Sequence, residues 1–349
     1  MRFVHETLPQ RVRLASGRGT AAVEGEVTLL GATRVMVIAS EQEAGLAESV
    51  TTGLPVALTY DDVVMHVPVE VADRTHTAAD AAEADVIVTV GGGSTTGLGK
   101  AVALTTGLPI VAVPTTYAGS EATYVWSLTQ GAVKTTGLDR RVLPRTVMYD
   151  ATLMTGLPVD LSVASGLNAL AQCVDSLWAP RTDPINGPLA AEGVRALRIG
   201  LSHVVADPHS IEGREKTIHG AYLAAVRSRP PDPGLHHKIC HVLGGRYDLP
   251  HAQTHAAVLP HVSRSTSRTH PSGCRLAAAF GTPTALAGLE QLRATVGAPR
   301  VRDHGFREDQ VADAVSAVLP VVPPSNPTPV TTENLHALLR AVWEGADPA

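Results

Sequence analysis

At 349 residues the chain is long enough for two domains with sizeable cores. Its 44% hydrophobic and 17% charged residues describe an ordinary soluble protein. No apolar stretch nears the length that crosses a bilayer and Met1 to Glu6 lacks the apolar centre of a signal peptide, so a cytoplasmic protein with no membrane partner is expected. A formal charge of -5, scattered Lys and Arg and 3% aromatic residues offer neither a basic stripe nor a stacking surface to nucleic acid.

In chain order, the apolar run Arg34 to Ala39 ends in the small polar Ser40, and helical spacing follows from Glu41 to Val50. Pro55 to Thr59 reads as a strand and Thr77 to Ala84 as a helix. Val86-Ile87-Val88-Thr89-Val90 then empties into Gly91-Gly92-Gly93-Ser94-Thr95-Thr96-Gly97-Leu98-Gly99-Lys100. Glycines after a buried strand bring bare N–H groups against an anion, Ser94, Thr95 and Thr96 add hydroxyls, and the helix carried by Leu98, Val102 and Leu104 turns its positive end to the same point. The pattern is neither the Walker motif nor the spaced-glycine fingerprint, and a glycine triplet alone serves equally as a tight turn with no ligand.

A further strand, Pro109 to Val113, ends in Pro114-Thr115-Thr116; Tyr124 to Lys134 reads as a hairpin and Thr146 to Asp150 as a last strand. Strand and helix alternate, which predicts a parallel sheet covered on both faces and a ligand beyond the carboxyl ends of the strands. Ser40, the Gly91 to Thr96 turn and Thr115-Thr116 all lie at such ends, so a dinucleotide becomes the better expectation. Beyond Leu157-Pro158 the texture changes to Ala- and Leu-rich helical periodicity, which places the domains at residues 1–155 and 156–349.

The second domain opens with a helix over Ser162 to Trp178 in which Asn168 and Gln172, at i and i+4, share a face. Taken alone, two amides there suit capping of loops better than ligand binding. Six of the 15 histidines fall between His236 and His261. His237 and His241 share a helix face, and a proline turn can fold His251 back toward them; His255 and His261 read as background. The trio fits either metal ligation or proton transfer to a substrate, and the missing carboxylate counts against metal. Cys173, Cys240 and Cys274 are odd in number and widely spaced, so core packing is expected, not a disulfide frame or a thiolate zinc site.

Gly91 to Lys100, Pro114 to Glu121, Lys134-Thr135-Thr136-Gly137, Gly166 to Leu170 and His236 to His251, in this order, resemble maleylacetate reductase. That family lies in the iron-containing alcohol dehydrogenase superfamily, which shares its fold with dehydroquinate synthase. The resemblance implies an α/β N-terminal dinucleotide-binding domain, an all-α C-terminal domain, an active site in the cleft between them, and a homodimer. It implies reduction of maleylacetate, a small dicarboxylate, to 3-oxoadipate with NADH or NADPH. Ser40, Gly92, Gly93, Ser94, Thr115, Thr116 and Lys134 match cofactor-contacting positions, to which the local chemistry adds Thr95. Glu41, directly after Ser40, would repel a 2'-phosphate and tilts the expectation to NADH.

In metal-dependent relatives an Asp and three His hold the ion; the matching positions here are Asn168, Gln172, His237 and His251. Two amides and two imidazoles supply no negative charge, so no metal is expected. The catalytic set is then His237, His241 and His251 as donors, with Asn168, Gln172 and Lys238 toward the substrate. The Arg227 to Pro233 segment and the Val321 to Pro329 tail depart from the family pattern on the substrate side. They leave open a metal-dependent alcohol dehydrogenase, a carbocycle-forming lyase that uses NAD transiently, or a homologue repurposed for a biosynthetic substrate.

Overall fold

A computed structural model describes residues 2–131, 133–178, 183–226, 234–267, 272–297, 300–324, 326 and 328–345. The chain divides into two compact units, Leu8–Leu157 and Pro158–Ala349, the latter joined by the N-terminal residues up to Thr7. The expected unusual stretch Arg227 to Pro233 lies outside the described residues.

The first unit is α/β. It holds β1 (Arg11–Leu14), α1 (Gly19–Leu29), β2 (Val35–Ile38), α2 (Ala44–Thr51), β3 (Val56–Tyr60), α3 (Val69–Ala81), β4 (Val86–Gly91), α4 (Gly93–Thr106), β5 (Ile110–Pro114), the antiparallel ribbon β6 (Val125–Gln130) and β7 (Val133–Leu138), and β8 (Thr146–Tyr149). Six strands form one sheet in the order β1-β8-β5-β4-β2-β3, every pairing parallel. Successive side chains point to opposite faces. Val35, Val37, Val86, Val88 and Val111 therefore enter one core with Val23 and Val27 of α1, while Met36, Ile38, Ile87 and Ile110 enter the other with Val71 of α3 and Leu98 and Val102 of α4. A sheet covered on both faces needs continuous apolar strands, which is why these runs are legible.

Two buried charged groups fasten this unit. Glu26 on α1 accepts from Arg11 and Arg13 of β1 at 3.0 and 3.1 Å and from Thr146 Oγ1 of β8 at 2.8 Å. Burial raises its pKa, but those hydrogen bonds outweigh burial and hold the carboxyl below its usual range. Lys100 on α4 is 1% exposed and donates to the carbonyls of Ser120, Thr123 and Val125 at 2.6, 2.8 and 2.9 Å. Burial draws its pKa down to about 7 against the pull of Glu121. Three carbonyls require three N–H donors, which the ammonium alone possesses, and this keeps the charged form in place.

The second unit is helical: α5 (Val159–Trp178), α6 (Asn186–Ala206), α7 (Ile211–Ala225), α8 (Leu235–Tyr247), α9 (His251–Ser267), α10 (Ser272–Phe280), α11 (Ala285–Val296), α12 (Val311–Val318) and α13 (Thr332–Glu344). Helices α6 and α7 approach almost backbone to backbone. A Cβ on Gly220 would lie 2.9 Å from the Gly193 carbonyl, and one on Gly200 would lie 2.6 Å from the Thr217 nitrogen. A separate core joins α8 and α9 to α12 and α13 through Ile239, Leu243, Val258, Val315 and Leu339. Within this unit His5 bonds Asp183 at 3.0 Å, which ties the N-terminal segment to the start of α6.

Several expectations shift. The hairpin reaches Leu138 instead of stopping at Lys134, α3 begins at Val69 instead of Thr77, and Glu41–Glu43 is a 3-10 turn before α2. Cys173 and Cys240 are buried as expected, whereas Cys274 is exposed because it sits on the outer side of α10.

Candidate active site and cofactor cradle

In the α/β unit the carboxyl ends of β2, β4 and β5 bring together Ser40, the glycine turn and Thr115-Thr116. Gly92 caps α4 and Gly93 is its first residue, so the helix N–H groups that lack intrahelical acceptors open at the turn. A Cβ on Gly91 would meet Thr95 Oγ1 at 2.3 Å and Glu43 Oε2 at 2.5 Å, and one on Gly92 would meet Thr116 Cγ2 at 3.2 Å. The turn is therefore bare by steric necessity, and Thr95 is buried beneath it. Gly92, Gly93, Ser94 and Thr116 are partly exposed, which suits contact with an incoming anion. Lys134 stands elsewhere, exposed on β7 opposite Thr129.

The acidic group at this crevice is Glu43, not Glu41. Its carboxylate accepts from Ser40 Oγ at 2.9 Å and from Thr115 Oγ1 at 2.5 Å, bridging the ends of β2 and β5 across Gly91. Glu41 is exposed on the 3-10 turn.

In the helical unit one face of α5 presents Asn168, Gln172 and Asp175, at i, i+4 and i+7. Asn168 is 5% exposed and its Oδ1 has no hydrogen-bond partner among the described residues. Asp175 Oδ2 lies 2.5 Å from His237 Nδ1, and its carboxylate abuts Gly234, the residue that caps the start of α8. Backbone donors at that helix end favour the negative charge there. The pairing fixes the His237 ring and leaves Nε2 as its outward nitrogen.

The other imidazoles form a graded cluster. His236 and His255 are fully buried and joined, Nε2 to Nδ1, at 2.9 Å, while His236 Nδ1 and His255 Nε2 have no partner among the described residues. Burial pulls the His236 pKa down to about 3 and that of His255 well below the ordinary imidazole range, so both are neutral. The His255 ring centroid is 4.8 Å from that of His237 and 4.3 Å from that of His251. His241 stacks on His251 at 6.3 Å, and both are exposed. Lys238 is partly exposed, about 100° round α8 from His237.

The expected trio His237, His241 and His251 thus meets in one place, on facing stretches of α8 and α9. Sequence reasoning missed Asp175, His236 and His255. Asp175 is three residues past Gln172 and His255 is four past His251, so helical spacing carried the signal for both. The four positions matched to metal ligands, Asn168, Gln172, His237 and His251, present no anionic donor, and the nearby carboxylate of Asp175 is engaged by His237. This donor set does not fit a hard or borderline divalent ion.

The sequence profile described as iron-containing alcohol dehydrogenase matches residues 9–151, and that of the Fe-containing alcohol dehydrogenase family, C-terminal, matches residues 162–343. Maleylacetate reductase from Sphingobium indicum is 39% identical over 100% of this chain and 99% of its own length. Among solved structures, an iron-containing alcohol dehydrogenase from Corynebacterium glutamicum is 56% identical with TM-score 0.97, covering 100% of this chain and 98% of that one. A maleylacetate reductase from Agrobacterium tumefaciens is 39% identical with TM-score 0.94, covering 100% of both.

Proposed function

We propose a substrate and a mechanism for this chain, which belongs to the iron-containing alcohol dehydrogenase family and is an NAD(P)H-dependent oxidoreductase of maleylacetate reductase type. It reduces maleylacetate, or a closely similar unsaturated oxo-diacid, to 3-oxoadipate in the breakdown of aromatic rings, without a metal ion. The observation that carries this reading is the imidazole cluster backed by Asp175, with the amides Asn168 and Gln172 on the same face of α5 where metal-dependent relatives would carry an Asp and a His.

A reduced nicotinamide, when bound, would supply hydride for the alkene carbon remote from the ketone, and negative charge would then develop on the ketone oxygen. His237, oriented through Nδ1 by Asp175, turns its Nε2 side toward that oxygen as the hydrogen-bond donor. Such a donor contributes roughly 3 kcal/mol in a dry site. A proton then reaches the carbon between the two groups, and His241, exposed beside His251, is the donor. Asn168, Gln172 and Lys238 receive the carboxylates. In the cofactor unit Gly92, Gly93 and Ser94 at the α4 N-terminus would hold the dinucleotide's pyrophosphate, with Thr95, Thr115, Thr116 and Ser40 lining the same crevice and Lys134 of the ribbon the cation that the resemblance assigns to it. Glu43 favours NADH over NADPH. The protein acts in the cytoplasm as a homodimer; among the described residues no helix is long and apolar enough to cross a membrane.

Maleylacetate-dependent oxidation of NADH tests this directly. Activity is expected to persist after chelation and to fall about 10²–10⁴-fold in His241→Ala. A second reading, a metal-dependent alcohol dehydrogenase, is favoured by the name of the 56% identical structure. Turnover that appears only on adding iron or zinc would establish that reading instead.

A further inference from the structure

We propose that Thr129 is a positioning residue for Lys134: it tethers the ribbon to a strained loop at residues 61–68, and this tether sets the affinity for the reduced dinucleotide. The inference rests on the proposed cofactor reading, in which Lys134 is a cation of the dinucleotide site.

The loop leaves the carboxyl end of β3 beside the end of β2 that carries Ser40, since the Ala39 N–H donates to the Tyr60 carbonyl at 3.1 Å. It ends at Pro68, which precedes α3. Between these ends His66 and Val67 hold φ at 65° and 49°, left-handed values at two successive residues, neither of them glycine. For a side chain branched at Cβ such a backbone is an outlier, and strain of this kind persists only where neighbouring contacts over-determine it. Val67 is 4% exposed, in the core with Val71 and Leu98, and its Cγ2 would lie 3.0 Å from a Cβ on Gly97, about one turn into the cradle helix α4. The carbonyls of both strained residues are taken by one residue of the ribbon. The Thr129 N–H donates to Val67 at 3.0 Å and Thr129 Oγ1 donates to His66 at 2.9 Å, with Pro68 bridging Thr129 as a parallel partner.

Thr129 stands directly opposite Lys134 in the ribbon register, so the two side chains share a face. A two-stranded ribbon is marginal by itself and takes its position from what supports it. At its base Lys100 of α4 holds the Val125 carbonyl at 2.9 Å, Leu128 packs against the core around Leu98, and beyond Leu128 the tether holds Thr129. All three supports lead back to α4, so they fix where Lys134 stands relative to the glycine turn. Removing the outermost one frees the end of the ribbon that carries the lysine and leaves the base in place.

The full chain is titrated with NADH and binding is followed by nicotinamide fluorescence, for the unaltered protein, Thr129→Val, Lys134→Ala and the double variant. Thr129→Val keeps the side-chain shape and the backbone N–H and removes only the hydroxyl. It should raise the Kd for NADH about five- to tenfold and speed amide exchange across residues 61–68, while kcat at saturating NADH stays within about twofold. Thr129→Ser should restore the Kd. Lys134→Ala should weaken binding at least as much, and adding Thr129→Val to it should weaken binding no further, because the tether then has no ammonium to place. Losses that multiply in the double variant, or an unchanged Kd in folded Thr129→Val, overturn the proposal. Coupled losses in a chain that does not reduce maleylacetate would leave the tether standing and defeat the proposed substrate, whereas multiplying losses in a chain that does reduce it would do the reverse.

Discussion

On the proposed reading one side chain, Glu43, sets the choice between NADH and NADPH. Its carboxylate is held by hydroxyls from two strand ends against the bare Gly91, in a crevice whose other members are neutral. A 2'-phosphate brought there meets a like charge at short range. Glu43→Gln retains the hydroxyl contacts and removes the charge. The ratio of kcat/KM for NADH over NADPH should fall about tenfold, which corresponds to about 1.4 kcal/mol. Equal losses with both cofactors would reduce Glu43 to a clasp between strands. Asp175 is the matching case in the helical unit. As a positioning residue it acts through His237, so Asp175→Asn should lower kcat about 10²-fold with little change in KM and displace the pH profile, while Asp175→Glu recovers part of the loss. An unchanged pH profile would leave Asp175 a purely structural neighbour.

At the scale of elements, the edge strand β1 illustrates what local pattern hides. Arg11-Val12-Arg13-Leu14 is mostly exposed, so no apolar run announces it. It is a strand because its arginines reach Glu26 on α1, which in turn holds Thr146 of β8. The pKa of Glu26 is lowered by folding, so the stability it contributes is full above its unfolded value near 4.5 and disappears as pH falls through the lower folded value. The α/β unit is therefore expected to lose stability below about pH 4.5, and Glu26→Gln to be about 1–3 kcal/mol less stable at neutral pH and to lack that acid transition. Urea unfolding across pH measures both. Lys100 ties α4 to the segment leading into β6. Lys100→Met should strand three buried carbonyls and cost about 2–4 kcal/mol, read from thermal denaturation, with cofactor affinity falling because the helix that offers its N-terminus to phosphate is loosened.

For the whole molecule, the central strands and the order of strand and helix were readable because a doubly covered parallel sheet demands uninterrupted Val and Ile, as in Val86 to Val90. The switch to helical periodicity after Leu157-Pro158 was readable for a related reason, since each layer type imposes its own spacing on apolar residues. Residue type at strand ends also marked the bare turn after β4, because only glycine tolerates the contacts at Gly91. These are local constraints, and each is written into neighbouring residues of the chain. Other features depended on contacts between residues far apart in sequence. Adjacent His236 and His237 differ by about 100° round α8, so one is buried against His255 and the other meets Asp175, 62 residues away. Likewise Glu43, not Glu41, reaches Thr115, 72 residues on. Periodicity and composition thus determined the two kinds of layer and the place of the glycine turn at the strand ends. Which carboxylate lies beside that turn, and which imidazole a carboxylate holds, was decided only by tertiary packing, because side-chain direction on a helix becomes specific when another element closes over it.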